Sequence, residues 1–447
     1  MKRKVIVEAL VLAAASLIAT SASATDGYFS HGYGMKAKGM AGAGTAMTAD
    51  AFGGANNPAQ MVFVGDRIDF GVDLFSPQRS ASRSGSDPLL NIDGSADSDS
   101  TLFAIPEFGF NKLINPKLAL GVTVYGNGGM NTDYPGDQIP NASACAGFNP
   151  NPGPYNLLCG NGRLGVDLSQ LVIAPTVAYK LTDSHAIGIA PLFGYQRFKL
   201  EGLQAFDNPN FSTSPGNVTN QGYDTASGWG ARIGWLGRIT DALTLGAAYS
   251  TKIAMSKFDK YKGLFAEGGG FDMPENYNVG LAYKVSPTVT VAADYQRINY
   301  SGIKSVGNPS SLLLNCFPGG DTSACLGGAN GAGFGWQDVD IWKLGVEYRY
   351  SDQLTLRGGY NHSDNPIQAK DVTINILAPG VVQDHLTLGL TYTFQGGGEL
   401  TVAYMHAFQN SVTGSSFFSN YTAPLSSGNE TIKMYENSLG IAYGWKM

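Results

Sequence analysis

The sequence is short of charge, of histidine and of long apolar runs. Lys, Arg, Asp and Glu make up only 14% of 447 residues, and the net charge is −6. No basic stripe appears, which argues against nucleic acid as a partner. Beyond the N-terminal leader no run of about 18 apolar residues occurs, so no transmembrane helix is expected. The histidines are His31, His185, His362, His385 and His406, and neither a Gly-x-Ser-x-Gly elbow nor a His-Glu-x-x-His motif accompanies them. Catalysis is therefore not expected, and neither is a metal or another cofactor. Cysteine is limited to Cys145 and Cys159, then Cys316 and Cys325. Neither pair has the Cys-x-x-Cys spacing or the neighbouring histidine of a metal site. Each local pair is expected to close a disulfide in an oxidising compartment.

What is present is an alternation of apolar and polar residues, repeated in about fourteen stretches, together with 59 glycines. Near the C-terminus Tyr435, Leu439, Ile441, Tyr443 and Trp445 share one face, and Glu436, Ser438, Gly440, Ala442, Gly444 and Lys446 share the other. Leu386, Leu388, Leu390, Tyr392 and Phe394 alternate in the same way with His385, Thr387, Gly389, Thr391 and Thr393. A period of two over nine or more residues matches a tilted strand crossing a bilayer, with lipid on one side and a lumen on the other. Only a closed barrel leaves no strand edge unpaired in lipid.

Strand cores are expected near 67–77, 101–113, 117–127, 167–182, 184–200, 227–240, 242–257, 275–286, 287–300, 337–350, 352–364, 382–395, 397–411 and 430–445. Connectors after even strands are tight, as at Thr182-Asp183-Ser184, Thr240-Asp241-Ala242 and Ser286-Pro287. Those after odd strands are long and rich in Gly, Asn, Pro and Ser. Short turns on one side and long loops on the other is the outer-membrane arrangement, with the long loops outside the cell. Both cysteine pairs fall in long loops, the second and the fifth.

The N-terminus divides in two. Lys2, Arg3 and Lys4, the apolar stretch Val5 to Ile18 and Ala22-Ser23-Ala24 form a secretory signal over residues 1–24, and the mature chain is expected to begin at Thr25. Residues 25–66 lack the strand rhythm and carry Gly32, Gly34, Gly39, Gly42, Gly44, Gly53 and Gly54. Lys36 and Lys38 precede these glycines and no βαβ context surrounds them, so a phosphate-binding loop is dismissed. A segment of small residues ahead of the first strand is expected to lie in the lumen as a plug. Residues 67–447 then form the barrel and its loops.

Several motifs resemble the FadL-type family of outer-membrane transporters, which includes long-chain fatty-acid channels and relatives that admit aromatic hydrocarbons. They are Gly39-Met40-Ala41-Gly42-Ala43-Gly44, Asp50-Ala51 and Asn56-Asn57-Pro58-Ala59, then Ser227-Gly228-Trp229-Gly230, Gly246 to Ser250 and Phe258…Gly263. Arg357-Gly358-Gly359-Tyr360, Asp364 to Ile367 and Tyr404 to Phe408 complete a colinear match across the mature chain. The resemblance implies an all-β fold, a fourteen-stranded antiparallel barrel, monomeric and blocked by an N-terminal hatch. It implies uptake of a hydrophobic small molecule, long-chain fatty acids first and neutral or aromatic hydrocarbons as the alternative, with an aqueous porin a weaker rival. Ligand would be caught among the extracellular loops and released into the outer membrane through a kinked third strand. The matching stretch is Tyr125 to Tyr134, with Gly126, Asn127, Gly128 and Gly129 at its centre; three glycines in four positions also favour a bulge on physical grounds.

The same resemblance assigns basic ligand contacts to Arg197 and Lys199, and a further one to His385. Counting in twos from Ile187, however, puts Arg197 and Lys199 on the outward face. Phe198, Phe206 and Phe265, with Phe211, Leu264 and Phe271, are candidates for an apolar ligand wall in the third and fourth loops, joined by Phe29 and Met35 of the plug. Parity alone adds Lys343, Arg349 and Arg357 as lumen cations, each with inward carboxylates such as Glu347 or Asp294 as alternative partners.

Overall fold

The computed structural model describes residues 25–140, 143–316 and 320–447; the proposed signal segment 1–24 lies outside them. Fourteen strands close into one antiparallel barrel. The first five are β1 (Arg67–Ser86), β2 (Phe103–Asn115), β3 (Leu118–Asn131), β4 (Gly165–Lys180) and β5 (His185–Glu201). Then come β6 (Asp224–Arg238), β7 (Leu243–Ser250), β8 (Asn276–Lys284), β9 (Val289–Ile298) and β10 (Val339–Arg349). The last four are β11 (Leu354–Ser363), β12 (Asp384–Thr393), β13 (Gly398–Ser415) and β14 (Ser427–Lys446). Each strand pairs with its sequence neighbours, and β14 returns to β1 with Arg67 opposite Lys446 and Ser86 opposite Ser427. Two short strands, Gly94–Asp97 and Ala254–Met255, add to β1 and β6 above the ring.

The alternation sets which side chains face lipid. Leu386, Leu388, Leu390 and Tyr392 of β12 are exposed, as are Tyr435, Leu439, Ile441 and Tyr443 of β14, while Glu436, Ser438 and Gly440 turn inward. On a soluble protein such apolar exposure would be a liability; on a barrel in lipid it is the outer wall. Both disulfides are formed, Cys145–Cys159 and Cys316–Cys325.

Two strand boundaries differ from expectation. β1 runs on to Ser86 and is matched by a β14 that starts at Ser427. This upper ribbon has Gln78, Ser80, Ser82 and Ser84 on its outer side, so it carries no apolar stripe that would reveal a strand. β7 ends at Ser250, short of the expected 257, because the pairing with β6 slips by one residue there and resumes, in the same direction, only at Ala254–Met255.

Residues 25–66 run through the barrel interior as short helical turns, Met35–Lys38, Gly53–Asn56 and Pro58–Phe63. The wall makes room with inward glycines. A Cβ added at Gly109, Gly188, Gly234, Gly246, Gly345, Gly359 or Gly440 would press into Ala51, Pro58, Asn57, Thr45, Met40 or Met35 of this segment. Polar anchors fix its height. Lys36 pairs with Glu399 and Lys38 with Asp73, each at 2.6 Å. Asp294 accepts from the Gly44 and Thr45 amides, Asp69 from Ala51 and Glu107 from Gly34. Asn57 caps the Pro58–Phe63 turn by accepting from the Ala59 amide, and its own amide donates to the carbonyls of Thr45 and Trp235. At Gly42 φ is 82°, a left-handed conformation, and a side chain there would collide with the His31 carbonyl.

Candidate functional site

The hydrogen-bonded wall has a window between β2 and β3 in the sense that a stretch of ladder is missing there. On one side β3 pairs with β4 along its length, but Gly126 faces Leu171 and Gly128 faces Gln170, so Asn127 is an extra, bulged residue. On the other side β3 pairs with β2 only from Asn115↔Leu118 to Phe108↔Val124. Above that point Tyr125 to Asn131 of β3 and Phe103 to Glu107 of β2 have no ladder between them. The plug takes up part of the freed backbone: Ser30 N–H donates to the Asn127 carbonyl at 3.2 Å, and Gly129 N–H donates to the Tyr28 carbonyl at 3.1 Å. Gly128 has to be glycine here, because a Cβ would strike the Tyr28 carbonyl. The Asn127 side chain accepts from Tyr33 Oη and donates to Gln170, 3.1 Å each, which fixes the bulge to plug and wall together.

The gap is bounded above as well as below. Asp99 N–H donates to the Asp133 carbonyl, Asp133 N–H donates to Ser98 Oγ, and Arg163 bridges the carboxylates of Asp99 and Asp133. Hydrogen bonds to both carboxylates, Asp133 first, push the Arg163 guanidinium further above its already high range and keep it charged.

Over the barrel mouth the loops form an aromatic mass. Phe198 lies 4.7 Å from Phe265 and 4.8 Å from Tyr261 between ring centroids, and Phe265 lies 4.8 Å from Phe271. Phe271 in turn approaches Tyr28 of the plug at 6.2 Å. Further out a cavity of about 660 Å³ opens among the loops, lined by Leu90, Phe148, Phe211 and Tyr421 with polar Asn208, Asn210 and Thr422. Among the described residues, no Lys, Arg or His lines it. Beside the plug the cavities shrink to about 20 and 10 Å³, room for about one water each.

The sequence profile of the outer membrane protein transport family (OMPP1/FadL/TodX) matches residues 160–432. The chain belongs to that family. A FadL/TodX-family member is an outer-membrane transport protein of the class that carries hydrophobic compounds, a channel and not an enzyme. No curated protein sequence matches this one. Among solved structures, the Pseudomonas putida toluene transporter TodX aligns with a TM-score of 0.64 at 17% identity, over 93% of this chain and 99% of that one. A Pseudomonas aeruginosa FadL homologue gives 0.65 at 14% identity, over 94% and 99%. The Ralstonia pickettii toluene transporter TbuX gives 0.61 at 18% identity, over 93% and 99%. At these identities the likeness speaks for the fold.

Within this FadL/TodX barrel the expected site residues separate. Phe198, Phe206 and Phe265 are buried in the loop mass, and Phe206 packs on Phe211 at 5.2 Å. Arg197 and Lys199 do not join them. They stand on the outward face of β5 over the Tyr223 ring, 4.2 and 5.5 Å from its centroid, with Asp167 and Glu201 as ion-pair partners. Their direction is the one that counting in twos gives. His385 does face the lumen, but it is fully buried and stacks on His31 of the plug at 6.3 Å, away from the loop cavity. Lys343 is held by the His31 carbonyl and Gln296, Arg357 by Glu347 and Thr391, and Arg349 reaches the Pro287 carbonyl at a short turn.

Sequence reasoning missed the β2 lip of the window and the inward Arg79 above it. The lip had a signal in Pro106, which has no N–H to give a ladder and is tolerated where a strand edge is open. Arg79 lay beyond the expected end of β1.

Proposed function

We propose that this protein imports long-chain fatty acids or similar extended hydrophobic molecules, capturing them among the extracellular loops and releasing them sideways into the outer membrane through the window between β2 and β3. The observation that carries this reading is the window: a bulge on one lip, a proline on the other, and plug backbone in place of the missing ladder. Lateral release suits the ligand. Each CH₂ that enters water costs about 0.8 kcal/mol, so an exit into lipid removes a barrier that an aqueous route would impose. A general porin is disfavoured, because residues 25–66 fill the lumen between the wall strands and the cavities beside Gly42 and Lys36 are water-sized. One closed ring supplies the whole route, consistent with a monomer.

The loop cavity is the size of sites for drug-sized ligands, larger than one aromatic ring requires, which favours an extended chain with its head group left in the open mouth. Neutral hydrocarbons are the second reading, favoured by the lack of any cation among the described residues of the cavity lining and by the outward, paired state of Arg197 and Lys199.

Competition between a long-chain fatty acid and toluene for the purified protein, followed by calorimetry, separates the two. Tighter binding of the fatty acid supports the first reading; binding of toluene alone supports the second. Phe148 packs on Phe418 at 5.1 Å and on Tyr421 at 5.6 Å. Phe148→Ala is expected to weaken binding about tenfold while leaving the barrel assembled. Unchanged affinity would move the capture site elsewhere.

A further inference from the structure

Above the window one inward side chain touches both lips. Arg79 of β1 is buried; its Nη1 donates to the Asn131 carbonyl at the end of β3, and its Nη2 to the Ser100 carbonyl just ahead of β2. The guanidinium also lies 5.8 Å from the ring centroid of Phe103, the first residue of the β2 lip. Its hydrogen bonds go to neutral carbonyls and not to a carboxylate, and Nε has no partner among the described residues.

A carboxylate stands close by. In the β1–β14 register Arg79 faces Met434 and Pro77 faces Glu436, so Glu436 is one same-face step from Arg79. Such diagonal neighbours sit about 7–8 Å apart, within the swing of an arginine. Glu436 is fully buried, and neither of its carboxylate oxygens has a hydrogen-bond partner among the described residues. A buried cation with a spare donor thus lies beside a buried carboxyl group with spare acceptors. Left apart both are poorly compensated; brought together they form a charge-assisted pair.

We propose that Arg79 is the gating residue of the window, with two docking positions: the lip carbonyls of Asn131 and Ser100, which hold the window shut, and the Glu436 carboxylate, which releases it. The inference rests on the window being the ligand's exit. Tyr28, Met130, Trp336 and Met434 line a cavity of about 20 Å³ together with Arg79, directly beside Gly129 of the β3 lip. As it stands this cavity has room for no more than about one water, so an apolar ligand that enters has to displace the guanidinium from the lips, and Glu436 receives it. Ligand that prefers the released state shifts the equilibrium by its differential affinity alone. The Arg163 clasp lies further out and holds the upper rim in both states.

The test is uptake of a radiolabelled long-chain fatty acid, and separately of labelled toluene, by cells in which this chain is the only such channel. Heat-modifiable gel migration confirms that each variant forms a barrel. Glu436→Gln removes the second docking position and is expected to slow uptake of both probes about fivefold, with binding to the purified protein unchanged. Arg79→Met removes the clasp and is expected to take up ligand at least as fast as the parent. The double variant is expected to behave as Arg79→Met does. Parental uptake by Glu436→Gln, or a fivefold loss that persists in the Arg79→Met background, overturns the gate. If Arg79→Met does not assemble, Arg79→Lys replaces it: one ammonium cannot hold both lips, and uptake slower than the parent's overturns the gate. Deletion of Asn127 tests the exit itself. A deletion that stops uptake beside a silent Glu436→Gln leaves the exit standing and removes the gate; no effect of either removes both.

Discussion

Deletion of Asn127 is expected to cut uptake of a hydrophobic ligand about tenfold or more without preventing barrel assembly. The residue is supernumerary in the β3–β4 ladder: pairing reaches Gly126↔Leu171, skips it, and resumes at Gly128↔Gln170 as far as Asn131↔Asp167. Without it the ladder runs on unbroken and β3 straightens. Tyr125 to Asn131 then come level with Phe103 to Glu107 of β2, where they have no partners in the native wall. The plug contacts at Asn127 and Gly129 are lost as backbone of β2 replaces backbone of the plug. Asn127→Ala is the matched control. It keeps the residue count and the bulge, and removes only the hydrogen bonds to Tyr33 and Gln170, so its uptake is expected within about threefold of the parent. Equal uptake by the deletion and the parent would remove lateral release as the route.

How much of this was legible depends on which constraint shaped each residue. The lipid-facing alternation of β12 and β14 was readable because a bilayer forces period two on any strand that crosses it. The upper ribbon of β1 and β14 leaves that constraint, and with it the pattern; Arg79 and Arg83 sit there and could not be placed from sequence. Arg83 is matched by Glu430 across the ribbon, a pairing between residues hundreds of positions apart that no local pattern encodes. The plug's small residues were visible, but the wall glycines that receive them, such as Gly345 and Gly359 against Met40, read only as gaps in an alternation. Of the window, the glycine-rich lip stood out and the Pro106 lip did not, because a hole needs two edges and local sequence reports one at a time. For the basic residues the readable signal was strand parity: Arg197 and Lys199 follow the two-residue period outward.

The second large effect concerns what holds the plug. Asp73→Leu is expected to conduct ions in bursts in planar bilayers, where the parent is expected to stay silent. Lys38 and Asp73 are 6% and 4% exposed at their side chains and 2.6 Å apart, and Asp73 also accepts from Ser438 Oγ at 2.7 Å. Removing one member of a buried pair strands the other, at a cost of about 3–5 kcal/mol. The barrel's own ladder does not pass through this pair, so the strain falls on the plug and not on the strands. The plug also has independent holds at Glu399, Asp294, Asp69 and Glu107, which makes local loosening the expected outcome and full release not. The decisive comparison is Asp73→Leu with Lys38→Leu added. Replacing both partners by apolar side chains of similar size removes the stranded charge, and such exchanges are commonly neutral. The double variant should therefore fall silent again. If it conducts as the single variant does, the bursts come from lost packing at β1 and not from the lysine; if the single variant is silent, the other anchors hold the plug without this pair.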